Sequence, residues 1–174
     1  MSEIVFEVLG KPEPADFRIG RWGAYEKLTV KEWKAEVRRC AAEAMADRKP
    51  LAGPLRFSIC FVRPVPKSSR RANGEVKAAS AGNPFPWAWT SKPDWDNLCK
   101  CAQDACSKVV WNDDAQIVWG EPLKVQDDHF RIIIMVEELC EEDVQIKYSK
   151  FVGALREARG LPAEGKREDV VEVN

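Results

Sequence analysis

The chain has 174 residues, of which 45% are apolar and 32% are charged. This length and composition are typical of one globular domain and argue against a collagen-like, wholly disordered or membrane-spanning protein. The formal net charge of -1 does not indicate a polyanionic partner for the whole molecule. Ten acidic and six basic residues lie from Glu137 onward, which leaves the preceding part mildly basic.

The N-terminal residues show no targeting pattern. Met1 is not followed by a basic segment and a long apolar core, and no apolar run reaches the ~18 residues that span a bilayer. We therefore expect a cytoplasmic protein, bacterial or phage-encoded, without a membrane partner. The cysteines are scattered, so we expect reduced, buried thiols instead of disulfides or a zinc site. They are Cys40, Cys60, Cys99, Cys101, Cys106 and Cys140.

The first third of the chain predicts a strand, a helix and a second strand. Apolar residues alternate from Glu3 to Leu9 and again from Leu55 to Val62, which is the period of a strand with one buried face. Between them, Thr29 is suited to cap a helix from Val30 to about Asp47. Its apolar stripe predicts that this helix lies on a sheet.

The segment from Arg63 to Pro93 predicts a long basic loop. It contains several prolines, an Asn73-Gly74 turn signal and a single acid, Glu75. Irregular segments of this length are either mobile surface excursions or functional, and the composition alone leaves both interpretations open. Its basic residues include Arg63, Lys67, Arg70, Arg71 and Lys77.

The remaining pattern predicts a helix, strand pieces, a buried strand and a last helix. The helical pattern runs from Trp95 to Val110, and the strand pieces lie at 115–119 and 124–125. A β-branched strand follows from Arg131 to Glu137, and a helix is expected near Val144 to Arg159. The predicted fold class is α+β, a two-layer α/β sandwich in which one small mixed sheet carries two main helices. Residues 1–140 would form the domain, and 141–174 a charged C-terminal extension that is partly helical or disordered.

The residues with the clearest chemical signal are five aspartates within a stretch of 21 residues. Three belong to Lys92-Pro93-Asp94-Trp95-Asp96-Asn97-Leu98-Cys99-Lys100 and its helix, and two to Asn112-Asp113-Asp114-Ala115-Gln116. Because Pro93 disfavours helix at Lys92, Asp94 is suited to cap the helix and Asp96 to lie in its first turn. Acids at a helix start are also expected from the helix dipole alone, so this pair by itself is a weak signal.

A second pair strengthens the signal. Asp113 and Asp114 lead into a strand that can bring them beside Asp94 and Asp96. Carboxylates this close repel one another unless a cation lies between them, and hard oxygen ligands favour Mg²⁺ or Mn²⁺. Lys100 can pair with Asp96 at i,i+4 or hold a substrate phosphate, and the sequence leaves these roles open.

These residues resemble the RusA-type Holliday junction resolvases of bacteria and phages. The shared pattern is Lys-Pro-Asp-x-Asp-Asn-Leu-x-Lys, an Asp four residues later, and Asp-Asp-x-Gln leading into a strand with a Lys. In this chain the pattern comprises Lys92 to Lys100, Asp104, Asp113, Asp114, Gln116 and Lys124. It covers about a third of the chain closely, and the earlier order of elements fits more loosely.

The resemblance implies a homodimeric, Mg²⁺-dependent endonuclease, with Mn²⁺ as a substitute, that resolves four-way junctions by paired symmetric nicks in recombination and repair. Catalytic roles would fall to Asp94, Asp96, Asp114 and Lys100. The metal ligands would be Asp94, Asp96, Asp113 and Asp114, supported by Asn97, Asp104 and Gln116. A two-fold symmetric dimer suits a junction that is itself nearly two-fold symmetric.

We expect DNA contacts from the basic loop and from the two lysines of the motif. Phosphates would be bound by Lys67, Arg70, Arg71, Lys77, Lys92 and Lys124. Either Trp87 or Trp89 would stack on or wedge open bases at the crossover, unless it belongs to the core. Relatives often carry a Lys- and Arg-rich N-terminal loop where this chain has residues 11–18, so this chain departs from the family pattern there. The alternatives are a nuclease for flaps or other branched DNA, and a non-catalytic DNA-binding or scaffold protein.

Overall fold

The computed structural model describes residues 3–21, 23–77 and 86–159. Part of the predicted basic loop and the end of the C-terminal extension lie outside these residues. The described chain falls into two compact units, one up to Glu138 and one from Leu139 onward. No described helix combines the length and the apolar character needed to cross a membrane.

The first unit is built on a mixed sheet of four strands. The strands are β1 (Glu3–Leu9), β4 (Leu55–Pro64), β5 (Ile117–Asp127) and β6 (Arg131–Glu138), in the spatial order β1-β6-β4-β5. β6 pairs antiparallel with β1 and β4, whereas β5 pairs parallel with β4. A separate hairpin contains β2 (Phe17–Gly20) and β3 (Gly23–Glu26). The α+β class and the small mixed sheet are therefore confirmed.

The helices of this unit are α1 (Leu28–Met45) and α2 (Trp95–Cys106). The buried residues of the strands alternate as predicted, and together with the apolar faces of α1 and α2 they form one core. At its centre the fully buried ring of Trp111 meets Phe57 edge to face, with ring centroids 5.6 Å apart. The six cysteines are free thiols.

Two predicted helix boundaries were wrong. α1 begins earlier than expected, with Lys27 as its N-cap, so Thr29 lies inside the helix and does not cap it. α2 ends at Cys106 and not at Val110. Lys108 has a positive φ of 68°, and the turn it makes directs Val110 and Trp111 into the core.

The predicted strand pieces are one strand, β5. Gly120 and Pro122 do not interrupt it, because β5 is an edge strand of the sheet and a proline there costs no ladder hydrogen bond on its open side. Its register against β4 shifts between Leu55 and Arg56, where one residue of β5 is extra.

The second unit contains one described helix, α3 (Glu141–Ala158), which begins before the predicted Val144. Its first turn holds Glu141, Glu142 and Asp143, and acids are favourable at a helix N-terminus. Asp143 accepts a hydrogen bond from the backbone N–H of Cys140, which closes the start of the helix. The helix expected in the C-terminal extension is therefore confirmed, and with α1 and α2 it makes three α-helices among the described residues. The predicted domain boundary at 140 stays a prediction.

Candidate active site

The loop that carries Asp94 is fastened to the ends of two strands. The Lys124 ammonium on β5 donates hydrogen bonds to the carbonyl oxygens of Ser91 at 2.8 Å and Pro93 at 2.5 Å. It also lies 4.8 Å from the centre of the Trp89 ring. The prediction that Lys124 binds DNA stays untested, but its contacts give it a structural role in holding this loop.

Arg63, at the end of β4, supports the same loop. Its guanidinium lies 4.9 Å from the centre of the Trp89 ring, and it donates to the Ser91 hydroxyl at 2.7 Å and to Gln126 Oε1 at 3.2 Å. Gln126 is a buried polar residue whose side-chain amide donates to the carbonyls of Pro86 and Ala88. These hydrogen bonds satisfy buried polar groups and hold the loop in one position.

Burial affects both of the cations beneath the loop. It lowers the pKa of Arg63, and it also lowers the pKa of Lys124 against the opposing effect of Asp94 nearby. Sequence reasoning missed Gln126 altogether and assigned Arg63 only to the basic loop. The sequence carried no periodic signal for either role, because the contacts join residues that are far apart in the chain.

Asp94 is the N-cap residue of α2, as predicted, but its side chain makes no capping hydrogen bond. Its carboxylate pairs with the ammonium of Lys92, whose side chain is 82% exposed. Asp96 lies exposed in the first turn of α2. Both acids therefore have oxygen atoms at the surface, beside the positive end of the helix dipole.

A pocket of about 600 Å³ adjoins Asp94. It is lined by residues 11–16, by Arg63, Trp89 and Phe130, and by 92–94 with Asn97. Two backbone hydrogen bonds fix its walls, from Ala15 N–H to the Asn97 carbonyl at 2.9 Å and from Gly10 N–H to the Phe130 carbonyl at 3.0 Å. We refer to this cavity as the Asp94 pocket.

The second pair of aspartates lies in a tight turn before β5. Asp113 Oδ1 accepts from Ala115 N–H, while Gln116 Oε1 accepts from the N–H groups of Asn112 and Asp113. The Gln116 amide donates to the Leu51 carbonyl at 2.9 Å and to the Gly53 carbonyl at 3.2 Å. Asp113 and Gln116 thus shape this turn and attach it to the segment before β4.

Asp114 has a different partner, the indole of Trp111. Trp111 Nε1 donates to Asp114 Oδ1 at 2.7 Å, which satisfies the one polar group of a fully buried side chain. Sequence reasoning missed Trp111, because a tryptophan just before Asn112 gives no sign that its ring is buried or that its N–H points back to Asp114.

The two acidic pairs do not meet within one chain. Burial raises the pKa of Cys106, the last residue of α2, and the nearby charge of Asp114 raises it further. Asp114 therefore lies near the C-terminal end of α2, whereas Asp94 lies at the N-terminal end. α2 has 12 residues, so its ends are about 18 Å apart. The described residues contain no group of three or more acidic, histidine or cysteine side chains able to hold a metal ion. The expected convergence of all four aspartates in a single chain was wrong.

Lys100 pairs with Asp104 and not with Asp96. Its ammonium lies 3.6 Å from Asp104 Oδ1, and the Lys100 side chain remains 61% exposed. Asp104 Oδ2 also accepts from Lys34 on α1 at 2.9 Å, and Lys34 reaches Glu26 of β3 at 2.5 Å. Burial alone would lower the pKa of Lys34, but its hydrogen bonds to Asp104 and Glu26 outweigh burial and raise it. Asp104 therefore links α1 to α2.

The described part of the basic loop contains a small hairpin-like turn, residues 67–77, which we call the basic hairpin. A bridge joins Arg70 to Val76, and Gly74 turns the chain with a positive φ of 87°. Arg70 donates to the Gly74 carbonyl and Lys77 to the Ser68 carbonyl, so both support the turn. Lys67, Arg71 and Lys77 are exposed, and their predicted contacts with DNA stay predictions.

The two tryptophans of the loop differ in exposure. Trp87 is 62% exposed, whereas Trp89 is 6% exposed and donates from its indole to the Lys92 carbonyl. Trp89 therefore belongs to the core, whereas the ring of Trp87 is exposed, and its predicted contact with a base stays a prediction.

Comparison with known proteins identifies the family. The family model described as "Endodeoxyribonuclease RusA" matches residues 6–137. The chain belongs to the RusA endodeoxyribonuclease family.

Two known proteins are similar to the chain in sequence. The chain is 30% identical over 144 residues to YqaN of Bacillus subtilis (strain 168), described as an uncharacterized protein, over 80% of this chain and 99% of YqaN. It is 49% identical over 55 residues to "Crossover junction endodeoxyribonuclease rusA" of Lactococcus phage r1t. That second match covers 30% of this chain and 42% of the phage protein.

Proposed function

We propose that this RusA-family protein is a Mg²⁺-dependent endonuclease that resolves four-way DNA junctions by paired nicks. Family membership supports a nuclease, and the phage relative is named for crossover junctions. The observation that carries the proposal is the Asp94 loop. Two strands fix it in place so that two acids and the exposed Lys92 lie together at the surface beside a pocket.

The single chain fits a magnesium site only in part. Asp94 and Asp96 offer hard carboxylate oxygens at the surface, as Mg²⁺ requires. The remaining acids of the motif lie at the other end of α2, where Asp114 has one oxygen bonded to Trp111. We propose that a homodimer completes the site, since two copies of α2 related by a two-fold axis across the helix place the N-terminal end of one beside the C-terminal end of the other.

In this arrangement the charged side chains have different roles. Lys92 and Lys100 are exposed cations that attract and orient a backbone phosphate. Lys124 and Arg63 hold the loop so that Asp94 keeps its position while DNA binds. Bound Mg²⁺ would supply an activated water and relief of the charge that develops on the phosphate.

The proposal is tested by cutting four-way, three-way, flap and linear DNA with purified protein, with and without Mg²⁺. We expect Mg²⁺-dependent symmetric nicks in the four-way junction and little cutting of linear duplex. Equal cutting of linear duplex would remove the junction preference, and preferred cutting of flaps would favour the alternative nuclease. Cutting that persists in excess chelator would overturn the metal dependence.

A further inference from the structure

The Asp94 pocket is large enough for part of a nucleotide. Its volume of about 600 Å³ lies within the usual range of small-molecule sites. Its wall contains three prolines, Pro12, Pro14 and Pro93, and the aromatic Trp89 and Phe130. Such apolar surfaces suit a planar, weakly polar ring better than a hydrated ion.

The charges around the pocket argue for a base in preference to a phosphate. Lys11 pairs with Glu13 at 3.4 Å, and Lys92 pairs with Asp94. Asp16, a third acid of the wall, pairs with Lys27. Because most of the lining cations already face an acid, the pocket itself exerts little net attraction on a phosphate.

Arg63 is a further polar residue of the wall. Among the described residues, its Nε is buried and has no hydrogen-bond partner, although both of its terminal nitrogens are bonded. Because this atom is buried, Arg63 contributes to the pocket as a wall whose guanidinium is held in place by Ser91 and Gln126.

The pocket is also held in shape without a ligand. The bond from Ala15 to Asn97 ties residues 11–16 to the first turn of α2, and the bond from Gly10 to Phe130 ties the start of this segment to the opposite wall. Because prolines restrict the backbone on two sides, a ligand pays little to order the pocket.

We propose that the Asp94 pocket receives one unstacked nucleobase of the branched DNA, from a nucleotide next to the phosphate that is cut. The inference rests on the proposed function for the identity of the DNA. A base inside a continuous duplex cannot reach the pocket, whereas a base at a branch point leaves the stack at a lower cost. The pocket thereby gives the protein a way to prefer branched over linear DNA.

The test measures binding to four-way junctions in chelator, so that no strand is cut. Each junction carries one abasic nucleotide at one of the positions flanking the cleavage sites, and an intact junction serves as reference. Phe130→Ala removes a wall of the pocket and should weaken binding of the intact junction at least about fivefold, the lower range for loss of one base contact. At one abasic position the same variant should cause no loss, because the base it contacts is already missing.

Two further variants keep the test decisive. Ala15→Leu fills the pocket while keeping its backbone hydrogen bond, and it should show the same coupling to the same abasic position even if Phe130→Ala folds poorly. Tyr25→Ala is the matched control, since Tyr25 is an exposed aromatic residue that does not line the pocket. It should bind all junctions like the unchanged protein.

The outcomes separate this inference from the proposed function. Equal weakening at every abasic position, or no weakening by Phe130→Ala and Ala15→Leu when both are folded, overturns the pocket as a base site while junction binding stands. Failure of the unchanged protein to prefer four-way over linear DNA overturns the proposed function, and the pocket inference fails with it.

Discussion

The two ends of α2 carry acids of the same motif but use them differently. At the N-terminal end, Asp94 and Asp96 are exposed, and the position of Asp94 is set by its neighbours' backbone contacts with Lys124. At the C-terminal end, Asp113 is engaged in a turn and Asp114 accepts from the buried Trp111. An aspartate of the motif therefore also satisfies a buried donor.

The largest effect on cutting should come from changing the two ends of α2 in separate chains and then mixing these chains. Asp94→Asn and Asp114→Asn should each reduce junction cutting at least about 100-fold, the scale of removing one electrostatic contact from a transition state. When the two inactive variants are mixed and allowed to exchange subunits, a heterodimer would contain one site with both ends intact. Cutting should therefore recover to a substantial fraction of the unchanged rate.

This mixing experiment tests how the site is built. If all its acids came from a single chain, each protomer of the heterodimer would remain defective and no activity would return. Mixing Asp94→Asn with Asp96→Asn is the matched control, because both changes lie at the same end of α2 and should not complement each other. Nicks are counted on a labelled junction after subunit exchange.

The two roles of Asp114 can be separated by its replacement. Asp114→Asn keeps an oxygen that accepts from Trp111, so the free energy of unfolding should change little while cutting is lost. Asp114→Ala leaves the Trp111 N–H buried without a partner and should lower the free energy of unfolding by about 1–3 kcal/mol. Urea denaturation of both variants measures the difference, and equal stability of the two would show that the indole hydrogen bond contributes nothing.

Loss of the lysine that supports the Asp94 loop should affect cutting, whereas loss of two arginines of the basic hairpin should affect the salt dependence of DNA binding. Lys124→Met removes the hydrogen bonds that hold the Asp94 loop and should reduce cutting about tenfold or more, with little change in the salt dependence of DNA binding. Replacing Arg70 and Arg71 together by Gln should lower the slope of log K against log salt by up to about 2.

The cutting rate and the salt dependence of DNA binding are both measured in each variant. A salt slope that falls in Lys124→Met as much as in the double variant would return Lys124 to the DNA contact surface. An unchanged slope in the double variant would remove the basic hairpin from that surface.

The smallest effect concerns the buried thiols along α2. Burial raises the pKa of Cys99, Cys101 and Cys106 to about 12 each. These thiols stay neutral in the folded chain, whereas in the unfolded chain they ionise near the ordinary thiol pKa of 9.0. Their stabilising effect is therefore complete below about pH 9 and is lost as the pH rises through the folded pKa.

Denaturation curves from pH 8 to pH 11 provide the measurement. The free energy of unfolding should fall with increasing pH, and Cys106→Ala should show a shallower fall than the unchanged protein. Lys34 acts in the same direction, since its raised pKa also favours the folded chain until it loses its proton. A stability that rises across this range would contradict both assignments.

Several parts of the fold could be predicted from local patterns. Period-two alternation located β1 and β4, and the β-branched run from Arg131 located β6, each to within two residues. α2 begins where Pro93 and Asp94 predict, because both residues act on the adjacent backbone. Its end at Cys106 was missed, since the turn at Lys108 follows from how Trp111 packs and not from local propensity.

By itself, the sequence determined the residues of the motif and with them the family. The spacing of acids and lysines along the chain can be recognised without knowing which of them are close in space. Only the tertiary structure decided which acids are neighbours. Asp94 and Asp114 are close in the chain, but α2 lies between them and they are at opposite ends of it. The tertiary structure also decided that Lys124 and Arg63 support the Asp94 loop, because contacts between distant strand ends leave no periodic signal in the sequence.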